Sequence, residues 1–176
     1  SVYNKLVREH FFPEKYHIVA GDKIISVANH YDDNRIVTNG EFGVIRNVLS
    51  ETEVVKVIIR KKIENSDTET LIVELRFRDV ELGFRDVNGE VYFFKCKVLE
   101  NLLYNSERAI TSDESKAIYV DFKNRHKHLN AKAKREEFKA TLKSDPYFNA
   151  FKIKFGYAIT CHKAQGSEWQ HVFLKC

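Results

Sequence analysis

Between the apolar run Phe155 to Ile159 and the apolar triplet Val172 to Leu174, the chain reads Thr160-Cys161-His162-Lys163-Ala164-Gln165-Gly166-Ser167-Glu168. Thr160, His162, Lys163 and Gln165 bring a hydroxyl, an imidazole, an ammonium and a carboxamide within six residues, a set suited to holding phosphate or sugar oxygens. Gly166 permits a turn or a close backbone approach, and Glu168 returns an acceptor, or a metal-directed charge, just beyond it. The pattern is strand, polar turn, strand. At the carboxyl end of a buried strand in an open α/β sheet, such a turn faces the crevice where ligands bind. An ordinary polar loop between two strands has the same composition, so the residues alone leave both readings open.

Cys161 beside His162 does not make a nucleophilic dyad. Neighbours on an extended strand point to opposite faces, and a dyad needs hydrogen-bond reach plus a third group to orient the base. Cys161 reads as a small core residue beneath the turn.

With Gly156-Tyr157-Ala158-Ile159 before it, the stretch Thr160 to Glu168 resembles motif V of superfamily 1 DNA helicases of the RecD and Dda type, an apolar strand followed by T-x-H-K-x-Q-G-x-E. Upstream, Gly21-Asp22-Lys23-Ile24-Ile25, then Asn29, then Asn39-Gly40-Glu41-Phe42-Gly43-Val44-Ile45 resembles the entry into the small SH3-like barrel inserted in the second motor domain of those helicases. The order and separation of the two segments fit the family. The resemblance covers both ends of the chain and, from about Glu51 to Asp145, only the general layout.

The resemblance implies the C-terminal portion of an ATP-dependent DNA helicase that moves 5′ to 3′ on single-stranded DNA. Thr160 and His162 would then grip backbone phosphates and couple that grip to the nucleotide state. Lys163 would add a phosphate contact or form a partly buried salt bridge. Gln165, Gly166 and Glu168 would face the nucleotide. Trp169 would stack on a base or pack in the core. ATP and Mg2+ are the implied cofactors of the intact protein, and single-stranded DNA and an N-terminal motor domain its implied partners.

None of the seven glycines is followed by lysine, so no P-loop is present to cradle phosphates. The family's motif VI arginine is also missing. The chain is therefore expected to be a helicase fragment without ATPase activity of its own. The single Asp-Glu pair, Asp113-Glu114, does not end an apolar strand and reads as a polar turn or helix start, not a magnesium ligand set.

Composition agrees with this reading without producing it. A chain of 176 residues, 43% hydrophobic, is long enough for one ordinary domain or two small ones. There is no transmembrane run, and charges at Lys5, Arg8 and Glu9 argue against a signal peptide. Three widely spaced cysteines, Cys96, Cys161 and Cys176, fit neither a disulfide framework nor a Cys-x-x-Cys zinc site, and a reducing cytoplasm suits them. The net charge of +4 is modest, but between Lys123 and Lys139 lie Lys123, Arg125, Lys127, Lys132, Lys134, Arg135 and Lys139 against Glu136 and Glu137. This stretch reads either as a solvated helix face or as a surface for a phosphate backbone. His126 and His128, two apart on an expected helix, point away from each other and make no metal pair.

The elements that must position the polar cluster follow from periodicity. Ser1 to His10 has helical spacing and stops before Pro13. Lys23 to Ala28, Phe42 to Val48, Val54 to Ile63, Leu71 to Phe77 and Val91 to Val98 read as strands, and Asn39-Gly40 and Asn88-Gly89 as hairpin turns. Glu100 to Tyr104 reads as a short helical connector, Ser115 to Lys143 as one long helix or two, and Ala150 to Ile159 as a strand. The expected class is α/β with an inserted small antiparallel SH3-like β-barrel, the whole being part of a second P-loop-helicase motor domain. Residues 1–20 and 145–176 would belong to the motor layer, 21–100 to the barrel and 101–144 to a helical connector. A non-enzymatic module, in which the barrel and basic helix hold a protein or nucleic acid, is the alternative.

Overall fold

The computed structural model describes residues 2–32, 35–62, 68–86, 88–105, 107, 109–129 and 134–160. Helix α1 (Val2–Phe11) ends two residues before Pro13, which cannot continue a helix. Its apolar residues remain largely exposed, Val2 at 72%, Leu6 and Phe11 at 62% each, whereas its one buried residue is Arg8. Strands β1 (Lys23–Ser26), β2 (His30–Asp32), β3 (Arg35–Val37) and β4 (Phe42–Val48) follow, with β2 and β3 forming a separate two-stranded sheet. The Asn39-Gly40 pair does turn, with Gly40 at φ +99°. It is not a hairpin between paired strands, however, because β4 pairs with β1 and not with β3.

Strands β5 (Glu53–Lys62), β6 (Thr68–Arg85), β7 (Val91–Leu99) and β8 (Phe151–Phe155) complete a six-stranded sheet of order β4-β1-β8-β7-β6-β5. A further pairing of β4 with β6 closes β4, β1, β8, β7 and β6 into a ring, leaving β5 outside it. Strand β8 pairs antiparallel with β1 and parallel with β7, so residues 151–155 share one sheet with the strands drawn from 21–100. The β6–β7 turn is the Asn88-Gly89 hairpin, with Gly89 at φ +83°.

Strand β6 is far longer than the run Leu71 to Phe77 predicts, and its burial shows why. Val73, Leu75 and Phe77 are buried at odd positions, and Val80, Leu82 and Phe84 at even ones. Because successive side chains point to opposite faces, the change of parity sends the two halves of one strand into two cores. The even set joins Ile24, Ile45, Phe151, Ile153 and Phe155 inside the ring. The odd set packs with Val57, Ile59, Ala117 and Ile118, between the β5–β6 hairpin and a helix. At the crossover sits a buried charge. Arg78 Nε lies 2.8 Å from Glu100 Oε1, without hydrogen-bond alignment, while Arg78 Nη2 donates to Thr52 Oγ1 and Thr52 Oγ1 donates to Glu100 Oε2.

Helix α2 (Asn101–Tyr104) is the short connector. Helix α3 (Ser112–Arg125) starts with a capping box in which Thr111 and Glu114 bond each other's backbone N–H, which places Asp113-Glu114 at a helix start. Helix α4 (Arg135–Ser144) follows, so the basic region contains two helices, with a 3₁₀ turn (Lys127–Leu129) after the first. Because α3 ends at Arg125, His126 and His128 do not diverge as on a continuous helix, and their ring centroids lie 6.0 Å apart. Asp145 ties the end of α3 to the start of β8, accepting from Arg125 Nη1 at 2.6 Å and Nη2 at 2.9 Å and from the backbone N–H groups of Tyr147 and Phe148. No helix among the described residues is long and apolar enough to cross a membrane.

Candidate functional site

The polar cluster leaves the sheet through a junction built by residues far away in sequence. Strand β8 stops at Phe155, four residues short of the expected Ile159, and Gly156 N–H bonds Lys23 O at 2.8 Å. A Cβ at Gly156 would lie 2.9 Å from the carbonyl carbon and oxygen of Ile24, so the close approach requires glycine. The next two residues are gripped from α1. Asn4 Oδ1 accepts from Tyr157 N and from Ala158 N, both at 2.8 Å, and Asn4 Nδ2 donates to Ala158 O at 3.0 Å. An asparagine side chain thus does for Ala158 what a neighbouring strand would do.

Asp22, fully buried, organises the other side of the junction. It accepts from Arg8 Nε at 2.7 Å and Nη2 at 2.9 Å, from Val19 N at 2.8 Å and from the Tyr157 hydroxyl at 2.8 Å. Arg8 donates also to Lys15 O and His17 O, and its guanidinium stands 4.6 Å from the centre of the Phe155 ring. Burial works against the Arg8 charge, but the Asp22 carboxylate outweighs it and holds the guanidinium above its ordinary range. Burial also pushes the Tyr157 phenol up, and Asp22 reinforces it, so this hydroxyl remains a donor. Four hydrogen bonds to the Asn4 and Asp22 side chains, and a fifth from Lys23 N–H to the Tyr157 hydroxyl, would have to break before residues 157 and 158 could leave α1 and the ring together.

Thr160, two residues beyond the grip, is exposed. Cys161, His162, Lys163, Gln165, Gly166, Glu168 and Trp169 lie outside the described residues. The structure therefore shows how the cluster is launched from the fold: off the end of β8, against α1, at a point fixed to the ring. Asp22 belongs to the segment that resembles the barrel entry, whereas Asn4 and Arg8 belong to no motif, and none of the three is read from the sequence as a positioning residue. In the basic region, Arg125 is committed to Asp121 and Asp145 and is not available as a phosphate ligand without losing them.

Residues 155–176 match the model of the UvrD-like helicase C-terminal domain. The match starts at the last residue of β8 and contains the whole polar cluster. It supports a UvrD-like helicase origin for this part of the chain and is consistent with DNA as a partner. No curated protein matches the chain.

Proposed function

We propose that the chain is the part of an ATP-dependent DNA helicase of the RecD/Dda type that carries motif V and an SH3-like barrel. The observation that carries this reading is one of position. The residues matching the helicase domain begin where β8 ends, and their order, T-x-H-K-x-Q-G-x-E, emerges from a junction pinned by Asn4 and Asp22. The closed ring of five strands is the barrel in this reading. In this reading the exposed apolar side of α1, with Val2, Leu6 and Phe11, faces the motor layer together with the residues that follow β8, because apolar patches of this kind mark contact surfaces.

Thr160 and His162 are assigned to the phosphates of single-stranded DNA, with Lys163 as a further cation, and Gln165, Gly166 and Glu168 to the nucleotide side of the same turn. When bound, ATP with Mg2+ supplies the free energy that drives strand movement. The chain's own contribution is to hold a phosphate grip at a fixed distance from the barrel, so that a shift of the turn is transmitted to α1 and the ring as one body. The remaining motor domain is the proposed partner that closes on this turn.

The reading is tested by anisotropy of a fluorescent single-stranded oligonucleotide. The chain should bind weakly, the affinity should fall steeply as salt rises, and Thr160→Ala with His162→Ala should weaken it about tenfold. Binding unaffected by both substitutions would remove the assignment of this turn.

A further inference from the structure

A cleft of about 630 Å³ opens at the other end of β8 from the Asn4 junction, between the β2–β3 hairpin, α3 and residues 148–152. That volume is within the range of small-molecule sites. Its lining contains Lys143 and Lys152 but, among the described residues, no aspartate or glutamate. Lys152 is half-buried, and its ammonium has no hydrogen bond or ion pair among the described residues; burial, with nothing to oppose it, lowers its pKa. Its neighbour on the same face of β8, Lys154, by contrast donates to Glu107 O. Ser115 and Lys143 offer a hydroxyl and a second ammonium that are likewise unengaged among the described residues. The nearby Asp145 carboxylate is already taken by Arg125 and His126. Behind the cations stands an apolar and aromatic wall, with the His30 ring 4.4 Å from that of Phe151, and Ile118 and Phe148 beside them.

A desolvated cation without a counter-charge destabilises the fold unless a ligand supplies the charge. Only Lys152 is partly buried; Lys143 and Ser115 are exposed, so what they add is a second ammonium and a hydroxyl within the same cleft, donors that a group with several acceptor oxygens can use together. A carboxylate brings a single negative charge, whereas a phosphomonoester carries about −1.5 to −2 at neutral pH with three strong acceptor oxygens. The aromatic wall suits a flat ring attached to that phosphate. We propose that this cleft binds a phosphomonoester of nucleotide size, its phosphate held by Lys152, Lys143 and Ser115 and its ring lying against His30 and Phe148. This inference does not depend on the helicase reading, since it uses none of residues 156–176. The same chemistry has two sources, a free mononucleotide or the phosphorylated end of a strand.

The test is titration calorimetry of the full chain with adenosine monophosphate, with adenosine, and with an oligothymidylate with or without a 5′-phosphate. Saturable binding of a phosphorylated probe is expected, weakened about tenfold or more when the phosphate is missing and again in Lys152→Met. Preference for the mononucleotide would identify a free nucleotide as the source; preference for the phosphorylated oligonucleotide would identify a strand end. Lys152→Met should keep or raise the melting temperature, because it replaces an unpaired half-buried charge by an apolar chain of similar length. If that variant unfolds instead, protection of Lys152 from acylation by adenosine monophosphate in the unsubstituted chain decides, and absence of protection overturns the proposal. Failure of both phosphorylated probes to saturate, or equal binding to a folded Lys152→Met chain, overturns it as well.

Discussion

Asn4 takes up both backbone polar groups of Ala158, accepting from its N–H at 2.8 Å and donating to its carbonyl at 3.0 Å across 154 residues of sequence. Backbone running on past the end of a paired strand needs such partners, and here one side chain of α1 supplies them. The grip fixes where the chain enters the polar cluster.

Asn4→Ala should therefore cost about 1–3 kcal/mol, since it strands the N–H groups of Tyr157 and Ala158 and the carbonyl of Ala158. Chemical denaturation measures the loss. Amide exchange should accelerate first at Tyr157 and Ala158, and unchanged exchange there would show that the contact does not hold the segment.

The Arg8 and Asp22 side chains form a buried pair, so removing one charge leaves the other uncompensated. Arg8→Met or Asp22→Asn should each destabilise by about 3–5 kcal/mol. The double variant should lose less than the sum, and a double-mutant cycle reads this coupling. Strict additivity would mean that the two residues act apart.

Much of this was legible in the sequence, and the failures have physical causes. Strand alternation and the Asn88-Gly89 turn are local signals, and they locate β4, β5 and β7 within a residue or two. The end of β6 was hidden because Arg78-Asp79 interrupts its apolar run at the place where the strand passes from one core to the other. The expected strand through Ile159 fails at Gly156 because the fold needs a close approach to Ile24 there, which periodicity does not encode. Asn4 could not be found from spacing at all, since its role exists only once residues 154 apart in sequence meet. The polar cluster was legible from residue types, while the junction that launches it was not.

Asp145 gives the fold an acid limit. Burial alone would raise its pKa, but hydrogen bonds from Arg125, the Phe148 N–H and His126 outweigh that and bring it down to about 2. A carboxylate depressed in the folded state stabilises above its unfolded pKa, about 3.9, and that contribution is lost as pH falls through the folded value. Melting temperature should therefore decline between about pH 4 and pH 2. Asp145→Asn should be less stable at pH 7 and show a flatter acid limb, and an unchanged limb would contradict the role of this carboxylate.

The most direct test of the proposed function is DNA-stimulated ATP hydrolysis and unwinding by the intact protein carrying Thr160→Ala or Glu168→Ala. Each substitution should lower unwinding by about tenfold or more with the fold retained, Thr160→Ala by weakening the hold on DNA and Glu168→Ala by acting on the nucleotide side. Unwinding and DNA-stimulated hydrolysis left unchanged by both substitutions would contradict a helicase role for this turn.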